Sequence, residues 1–255
     1  MTHRVAVLGA GGRMGRTVCA AISDDAELEL VGAVDPAHPG EAVAGVTIAG
    51  EIESLESIAP DVVVDFTQID AARKNLEWCA EHGVHAVVGT TGFTDDDRAR
   101  LRERFTKSNC FVAPNFAIGA VLLMRLAELA APWFETAEII ELHHDEKIDA
   151  PSGTAMLTAE RMAAASPDWG ADPTTKHVLE GARGGEGAGG IRVHSVRLRG
   201  LVAHEEVILG TTGQSLSLRH DSYDRSSFVP GILLAVKSVA SRPGVTVGLD
   251  ALLDL

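Results

Sequence analysis

The sequence predicts an α/β protein: a parallel sheet with helices on both faces, and a smaller α+β part built on a mixed sheet. Three observations carry this. In the first half, short continuous apolar runs alternate with helix-like stretches, the pattern of strands buried on both faces. The first run ends in a cluster of glycines and the second in an acid. After Phe116 a long helix leads into several runs of strands, some alternating as strands with one covered face do.

The elements follow in order. Residues 5–8 form the first strand, and a helix runs from the glycines to about Ile22. Residues 28–34 are mostly apolar and end at Asp35. The run VVVDF at 62–66 is a buried-strand type, and 70–81 is helical. Residues 85–88 end in Gly89-Thr90-Thr91-Gly92, 95–107 form a charged helix, and 110–113 lead into Pro114-Asn115-Phe116. Beyond these, 117–131 is a long helix, 137–142 a strand and 154–165 a helix. The stretch 166–190, rich in Gly, Pro and polar residues, reads as a loop. Strands are expected at 191–198, 206–209 and 215–219, then a helix at 229–240 and a last strand at 245–247. There is no internal repeat.

Composition narrows the function. The chain has 255 residues, 45% hydrophobic and 23% charged, ordinary for a globular protein. Its 22 basic against 36 acidic residues give a formal net charge of −14, whereas a nucleic-acid binder carries a basic face. The balance argues against DNA, RNA and anionic membrane surfaces, yet allows a local basic pocket for a small anion. No apolar run approaches the roughly 18 residues of a membrane span, and a cytoplasmic protein is expected. Cys19, Cys79 and Cys110 are odd in number and lack metal-ligand spacing, so they read as buried inert thiols and no metal site is expected.

The glycine cluster is Gly9-Ala10-Gly11-Gly12-Arg13-Met14-Gly15. A strict G-x-G-x-x-G does not fit, because Met14 stands where the third glycine would fall. Gly9, Gly12 and Gly15 fit better, with Gly11 extra. Glycine lets the backbone approach a pyrophosphate, and a helix N-terminus offers N–H groups and partial positive charge. Asp35 follows at the spacing where an acid accepts from an adenosine ribose. Strand, glycines, helix, strand and acid in that order point to a Rossmann-type dinucleotide site. Phe66, the Gly89-Thr90-Thr91 loop and Ala113-Pro114-Asn115-Phe116 lie at later strand ends, placed to meet the nicotinamide half.

A second cluster, HHDEKIDAPSGT, occupies 143–154. His143 and His144 end a strand, where neighbouring side chains face opposite ways, so both meet one ligand only if the chain turns there. Lys147 lies on that turn. Ser152 is placed as a helix N-cap, with Gly153 and Thr154 in the first turn. Imidazole, ammonium, hydroxyls and backbone N–H groups converging in this way suit carboxylates.

On these motifs the sequence resembles the 4-hydroxy-tetrahydrodipicolinate reductase (dihydrodipicolinate reductase) family of diaminopimelate and lysine synthesis. The resemblance rests on GAGGRMG at 9–15, VVGTTGF at 87–93, APNF at 113–116 and ELHHDEKIDAPSGTA at 141–155, and extends to GLVAHE at 200–205 and RHDS at 219–222. It implies a dinucleotide-binding domain over 1–116 and 226–255, with a substrate-binding and oligomerisation domain over 117–225 inserted in it. It further implies a homotetramer joined through the substrate-domain sheets and a small cyclic imine dicarboxylate as substrate. His143 would be the proton donor and acceptor, and Lys147 a proton donor that also attracts carboxylate. His144 would contact substrate, and Ser152, Gly153 and Thr154 would cradle a carboxylate. Asp145-Glu146 depart from relatives with basic or neutral residues there, which would lower the local positive potential.

Both NADH and NADPH are expected to serve, with NADH equal or modestly preferred. Asp35 would repel a 2′-phosphate, and Pro36 stands where some relatives have an arginine, while Arg13 and Arg16 could reach that phosphate. A cofactor-binding redox regulator without turnover is the alternative, but no basic helix supports its DNA or partner surface.

Overall fold

A computed structural model describes residues 2–253. The chain forms two compact units: one runs to Ile118 and resumes at Arg225, and the other is Gly119–Asp224.

The first unit begins with β1 (His3–Leu8), α1 (Arg13–Asp24) and β2 (Leu28–Val34). A small hairpin of β3 (Ala42–Val43) and β4 (Val46–Thr47) follows, then β5 (Val62–Asp65), α2 (Ile69–His82), β6 (His85–Val88), α3 (Asp95–Arg104) and β7 (Cys110–Val112). α4 (Ile118–Ala130) leads out of this unit. The second unit holds β8 (Thr136–His143), α5 (Gly153–Ala165), β9 (Gly185–Glu186), β10 (Arg192–Arg197), β11 (Ala203–Thr211) and β12 (Gln214–Ser222). α6 (Val229–Val239) and β13 (Val245–Val247) return to the first.

The first unit's sheet runs β13-β7-β6-β5-β1-β2, every pair parallel. β5 is buried at every position and β6 at all but its first, as strands covered on both faces must be. After β2 the chain crosses back to the other side of β1. That reversal opens a crevice at the carboxyl ends of β1 and β5, where ligands of such sheets bind.

The helices show how local sequence fixes them. α2 ends at Gly83, whose φ of 70° takes the left-handed conformation that glycine enters at no steric cost. α3 buries only Leu101. It is held instead by a capping box between Thr94 and Asp97, by Asp95–Asp97 in its first turn, and by Arg102 and Arg104 in its last, charges that oppose the helix dipole at both ends. The Arg73 fork on Asp97 (two bonds of 2.9 Å) ties it to α2.

The second unit's sheet runs β12-β11-β8-β10-β9. β8 pairs parallel with β10 and antiparallel with β11, so the sheet is mixed. Ile139, Val193, Val207 and Leu209 meet Ala155, Ala159 and Met162 of α5 and Leu123 and Ala127 of α4 in one core. That same face carries Glu141 and His143, two and four residues beyond Ile139 along β8.

Candidate active site

In the first unit, Gly9 and Ala10 donate to the Val34 carbonyl (2.9 and 3.2 Å), which pins the glycine turn against β2. Gly9 has φ +74°, and a Cβ there would lie 2.8 Å from the Phe66 carbonyl oxygen. A Cβ on Gly15 would run into the Gly9 carbonyl and lie 2.7 Å from Ala10 Cα, so glycine is what lets α1 sit this close to the turn. Gly12 is the N-cap and supplies no side-chain acceptor, leaving the first N–H groups of α1 for a ligand. A cavity of about 430 Å³ opens among Met14, Phe66, Gly89, Thr90 and Thr91. The uncapped helix, the glycine cradle and this cavity fit a dinucleotide.

Asp35 is 9% exposed. Its carboxylate accepts from Gly11 N–H and Ala37 N–H, both at 2.9 Å, and lies 3.4 Å from His38 Nδ1. Burial raises its pKa, but the Ala37, His38 and Gly11 hydrogen bonds outweigh that and hold it below the usual value. The acid is therefore ionised and fixed beside the turn. Arg16, expected within reach of a phosphate, stands beside the turn with partners of its own. Its Nε donates to the Gly11 carbonyl (3.0 Å) and its guanidinium pairs with Glu41. Arg13 is exposed and has no ion-pair partner among the described residues.

Asp65 was not anticipated in the sequence. Fully buried at the end of β5, it accepts from Thr67 N–H (2.8 Å), Thr67 Oγ1 (2.6 Å), Asn75 Nδ2 (2.8 Å) and Thr90 Oγ1 (3.3 Å). One carboxyl thus ties the Phe66–Thr67 and Gly89–Thr91 loops together, and burial drives its pKa up against those bonds. Its only sequence signal is an acid inside an apolar run. A Cβ on Gly89 would meet the Phe66 ring, which in turn lies 6.0 Å from the Phe116 ring. Ala113 N–H donates to the Val88 carbonyl (3.0 Å) and Asn115 Oδ1 accepts from Ala117 N–H (2.9 Å). The three strand-end loops therefore stand as a connected set.

In the second unit, β8 ends at His143 and the chain turns at once, with Lys147 N–H donating to the His144 carbonyl (3.2 Å). His143 is half-buried and His144 exposed. Lys147 Nζ grips both Asp149 oxygens (2.6 and 2.7 Å). The Ala150-Pro151 peptide is cis, and α5 begins just after it. Ser152 caps α5 by accepting from Ala155 N–H (3.2 Å), while its own N–H donates to Glu141 (3.2 Å). Ser152 is 3% exposed, and Gly153 and Thr154 follow it with their N–H groups free of intrahelical partners.

Beneath this loop Glu141 is fully buried and carries His143 Nδ1 at 2.5 Å and Arg197 in a two-point fork (2.9 and 2.8 Å). Burial raises the Glu141 pKa, and hydrogen bonds from Arg197, Ser195 and His143 reverse this and bring it below normal. For His143, burial lowers the pKa and Glu141 raises it, and with Lys147 and Arg197 also lowering it the balance falls below the usual value. Asp145 pairs with Arg199 (2.8 Å), so its charge subtracts less from the local potential than the sequence alone suggested.

Comparison with known proteins decides the family. Family models described as dihydrodipicolinate reductase N-terminus and C-terminus match residues 3–116 and 119–253. The chain belongs to the dihydrodipicolinate reductase family. A 4-hydroxy-tetrahydrodipicolinate reductase of Nocardia farcinica is 51% identical over the whole of both chains, and one of Corynebacterium urealyticum is 48% identical over 99% of each. A solved dipicolinate-bound dihydrodipicolinate reductase from a Paenisporosarcina species superposes with TM-score 0.88 at 40% identity, covering 98% of this chain and 99% of that one. An amine dehydrogenase from Mycobacterium smegmatis, at 16% identity and TM-score 0.63, shares the fold alone. Membership in the dihydrodipicolinate reductase family makes this an NAD(P)H-dependent oxidoreductase of diaminopimelate and lysine synthesis. Among the described residues no helix is long and apolar enough to cross a membrane.

Proposed function

We propose that the chain reduces 4-hydroxy-tetrahydrodipicolinate, by way of dihydrodipicolinate, to tetrahydrodipicolinate in the cytoplasm. The observation that carries this is the meeting of His143, Lys147 and the N-terminus of α5 in one loop: a proton-transfer group, a cation and backbone donors for a cyclic dicarboxylate. When bound, NADH or NADPH supplies a hydride to a ring carbon conjugated with the imine. Gly9–Met14 would hold its diphosphate, Asp35 its adenosine ribose, and Phe66, Gly89–Thr91 and Ala113–Phe116 its nicotinamide end.

The protein's own tasks are to hold two carboxylates and manage a proton. Gly153 and Thr154 N–H take one carboxylate at the helix terminus, with His144 beside the pocket. A Lys147–carboxylate pair near 4 Å is worth roughly 4 kcal/mol at an effective dielectric of about 20. The net gain is smaller, because the substrate must displace Asp149. The freshly made cyclic imine, added to protein and reduced cofactor, should consume the cofactor well above the imine-free baseline. No rate above that baseline would favour the cofactor-binding regulator.

His143 donates as imidazolium, from Nε2. That form exists below its pKa, which burial, Lys147 and Arg197 hold below the ordinary histidine value. The ratio kcat/KM, which reports free enzyme, should therefore fall as pH rises through a value below the ordinary histidine pKa. The kcat limb should sit higher, because bound carboxylates stabilise the imidazolium. His143→Ala should remove this limb, whereas His144→Ala should chiefly raise KM. Superimposable pH profiles for wild type and His143→Ala would end the division of roles.

Both cofactors serve in this reading, with NADH equal or modestly preferred. Asp35 repels a 2′-phosphate, while Arg13, and Arg16 once drawn from its exposed pair with Glu41, oppose it. Asp35→Asn removes the charge and keeps an acceptor for one of the Gly11 and Ala37 N–H groups, which bind different oxygens, and should shift the kcat/KM ratio toward NADPH. A wild-type NADPH preference beyond about 30-fold, or about 2 kcal/mol, would mean that Asp35 does not govern the choice. The sheet face opposite α4 and α5 leaves Ile140, Val196 and Ile208 only partly buried. This supports a homotetramer joined through these sheets, testable by sedimentation.

A further inference from the structure

We propose that Glu141, with Arg197 as its counter-ion, is the positioning residue of the proton-transfer step: one buried carboxylate fixes the His143 ring and the seat of α5. The inference rests on His143 having the role given above.

Glu141 is 0% exposed and every bond it makes has a purpose at the site. Oε2 takes His143 Nδ1 (2.5 Å) and Arg197 Nη1 (2.9 Å); Oε1 takes Arg197 Nη2 (2.8 Å) and Ser152 N–H (3.2 Å). Arg197 also donates to the Asp149 carbonyl (2.6 Å). The end of β8, the Lys147–Asp149 turn, the α5 cap and the end of β10 are therefore joined through one group. A buried carboxylate this well supplied with donors stays ionised. An ionised carboxylate only accepts, so it requires the proton on His143 Nδ1 in the neutral ring and leaves Nε2 as the working nitrogen. This is the same task a buried acid performs behind a catalytic histidine elsewhere.

The charges around the pair give the idea opposite signs to test. Across the sheet, Glu205 is the register partner of Glu141, and His220 of Glu205. Burial, with the Glu141 charge adding, raises the Glu205 pKa to about 7 against a bond from Thr158. Burial lowers that of His220. Lys147 and Arg197 disfavour the His143 imidazolium and Glu141 favours it. Removing the Glu141 charge should thus move the His143 titration to lower pH, and removing the Arg197 charge should move it to higher pH. Opposed shifts would show that both charges act on the His143 ring, and the double variant below then separates positioning from a purely structural role.

The first measurement needs no variant. In wild-type protein with nitrogen-labelled histidine, imidazole spectra should show neutral His143 protonated on Nδ1. Protonation on Nε2 would overturn the proposal. Glu141→Gln should lower kcat roughly 10-fold or more and move the pH limb down, while Arg197→Met should move it up. In a His143→Ala background, Glu141→Gln should cost little further, since both act through one group. Full additivity of the two, or pH limbs that shift together, would reduce Glu141 to a structural role. If His143→Ala alone leaves turnover intact, the assignment of His143 fails, and with it the catalytic part of this inference. The tautomer result still stands by itself.

Discussion

Lys147→Ala should fold like wild type and lose roughly 100-fold or more in turnover, the scale of a positioned proton-transfer group. Lys147 sits on a turn, half-buried and outside the apolar core, so its removal opens no cavity. Its ionic partner among the described residues, Asp149, has 57% of its side chain exposed, and such pairs contribute only about 0–1 kcal/mol to stability. The loss should therefore appear in kcat and in substrate KM, while the dissociation constant for reduced cofactor stays put. Calorimetric melting and cofactor titration would establish the first and last points. Near-normal turnover in the folded variant would exclude Lys147 from the chemistry.

Gly15→Ala should cost about as much in the other unit, by a different route. The added Cβ would run into the Gly9–Ala10 peptide of the turn, and backbone cannot swing away as a side-chain tip can. α1 must move off the turn, at about 1–3 kcal/mol for overpacking of this kind, and its N-terminal N–H groups move with it. Reduced-cofactor affinity should fall about 30-fold or more, near 2 kcal/mol. Gly153→Ala makes the control for stability: a Cβ there meets nothing within 4 Å, so its melting temperature should be no lower than wild type. A Gly15→Ala protein that binds cofactor within about threefold of wild type would show that the close packing of α1 on the turn does not govern binding.

What was legible in the sequence was local. The glycine turn, Asp35, and the run from His143 to Thr154 each lie within a few residues of the strand or helix end that gives them meaning. Glu141 and Arg197 are 56 positions apart, and only the parallel register of β8 with β10 brings them together. Arg16 is a local residue whose pairing was hidden for the same reason. Its destination, Glu41, lies in the segment after β2 that reads as featureless, though Ala44 and Gly45 take the positive φ angles of a tight hairpin turn there. β11 runs Ala203–Thr211, well beyond the expected 206–209, because His204 and Glu205 interrupt the apolar pattern while lying 6% and 5% exposed. Buried polar residues hide a strand from periodicity, and here they sit near the site. Ser152 was correctly read as a cap, but capping and the bond to Glu141 leave it less able to touch a ligand than its two neighbours.

The parallel pairing of β13 with β7 also sets a timetable for synthesis. Cys110–Val112 leaves the ribosome long before Val245–Val247. At about 5–20 residues per second the interval is roughly 7–27 seconds. Throughout it, one edge of the growing sheet is Cys-Phe-Val with its N–H and C=O groups unpaired, the kind of edge that recruits another chain. The second unit is translated entirely within that window. A nascent first unit must therefore wait, open-edged, for a strand encoded after the whole of the second unit.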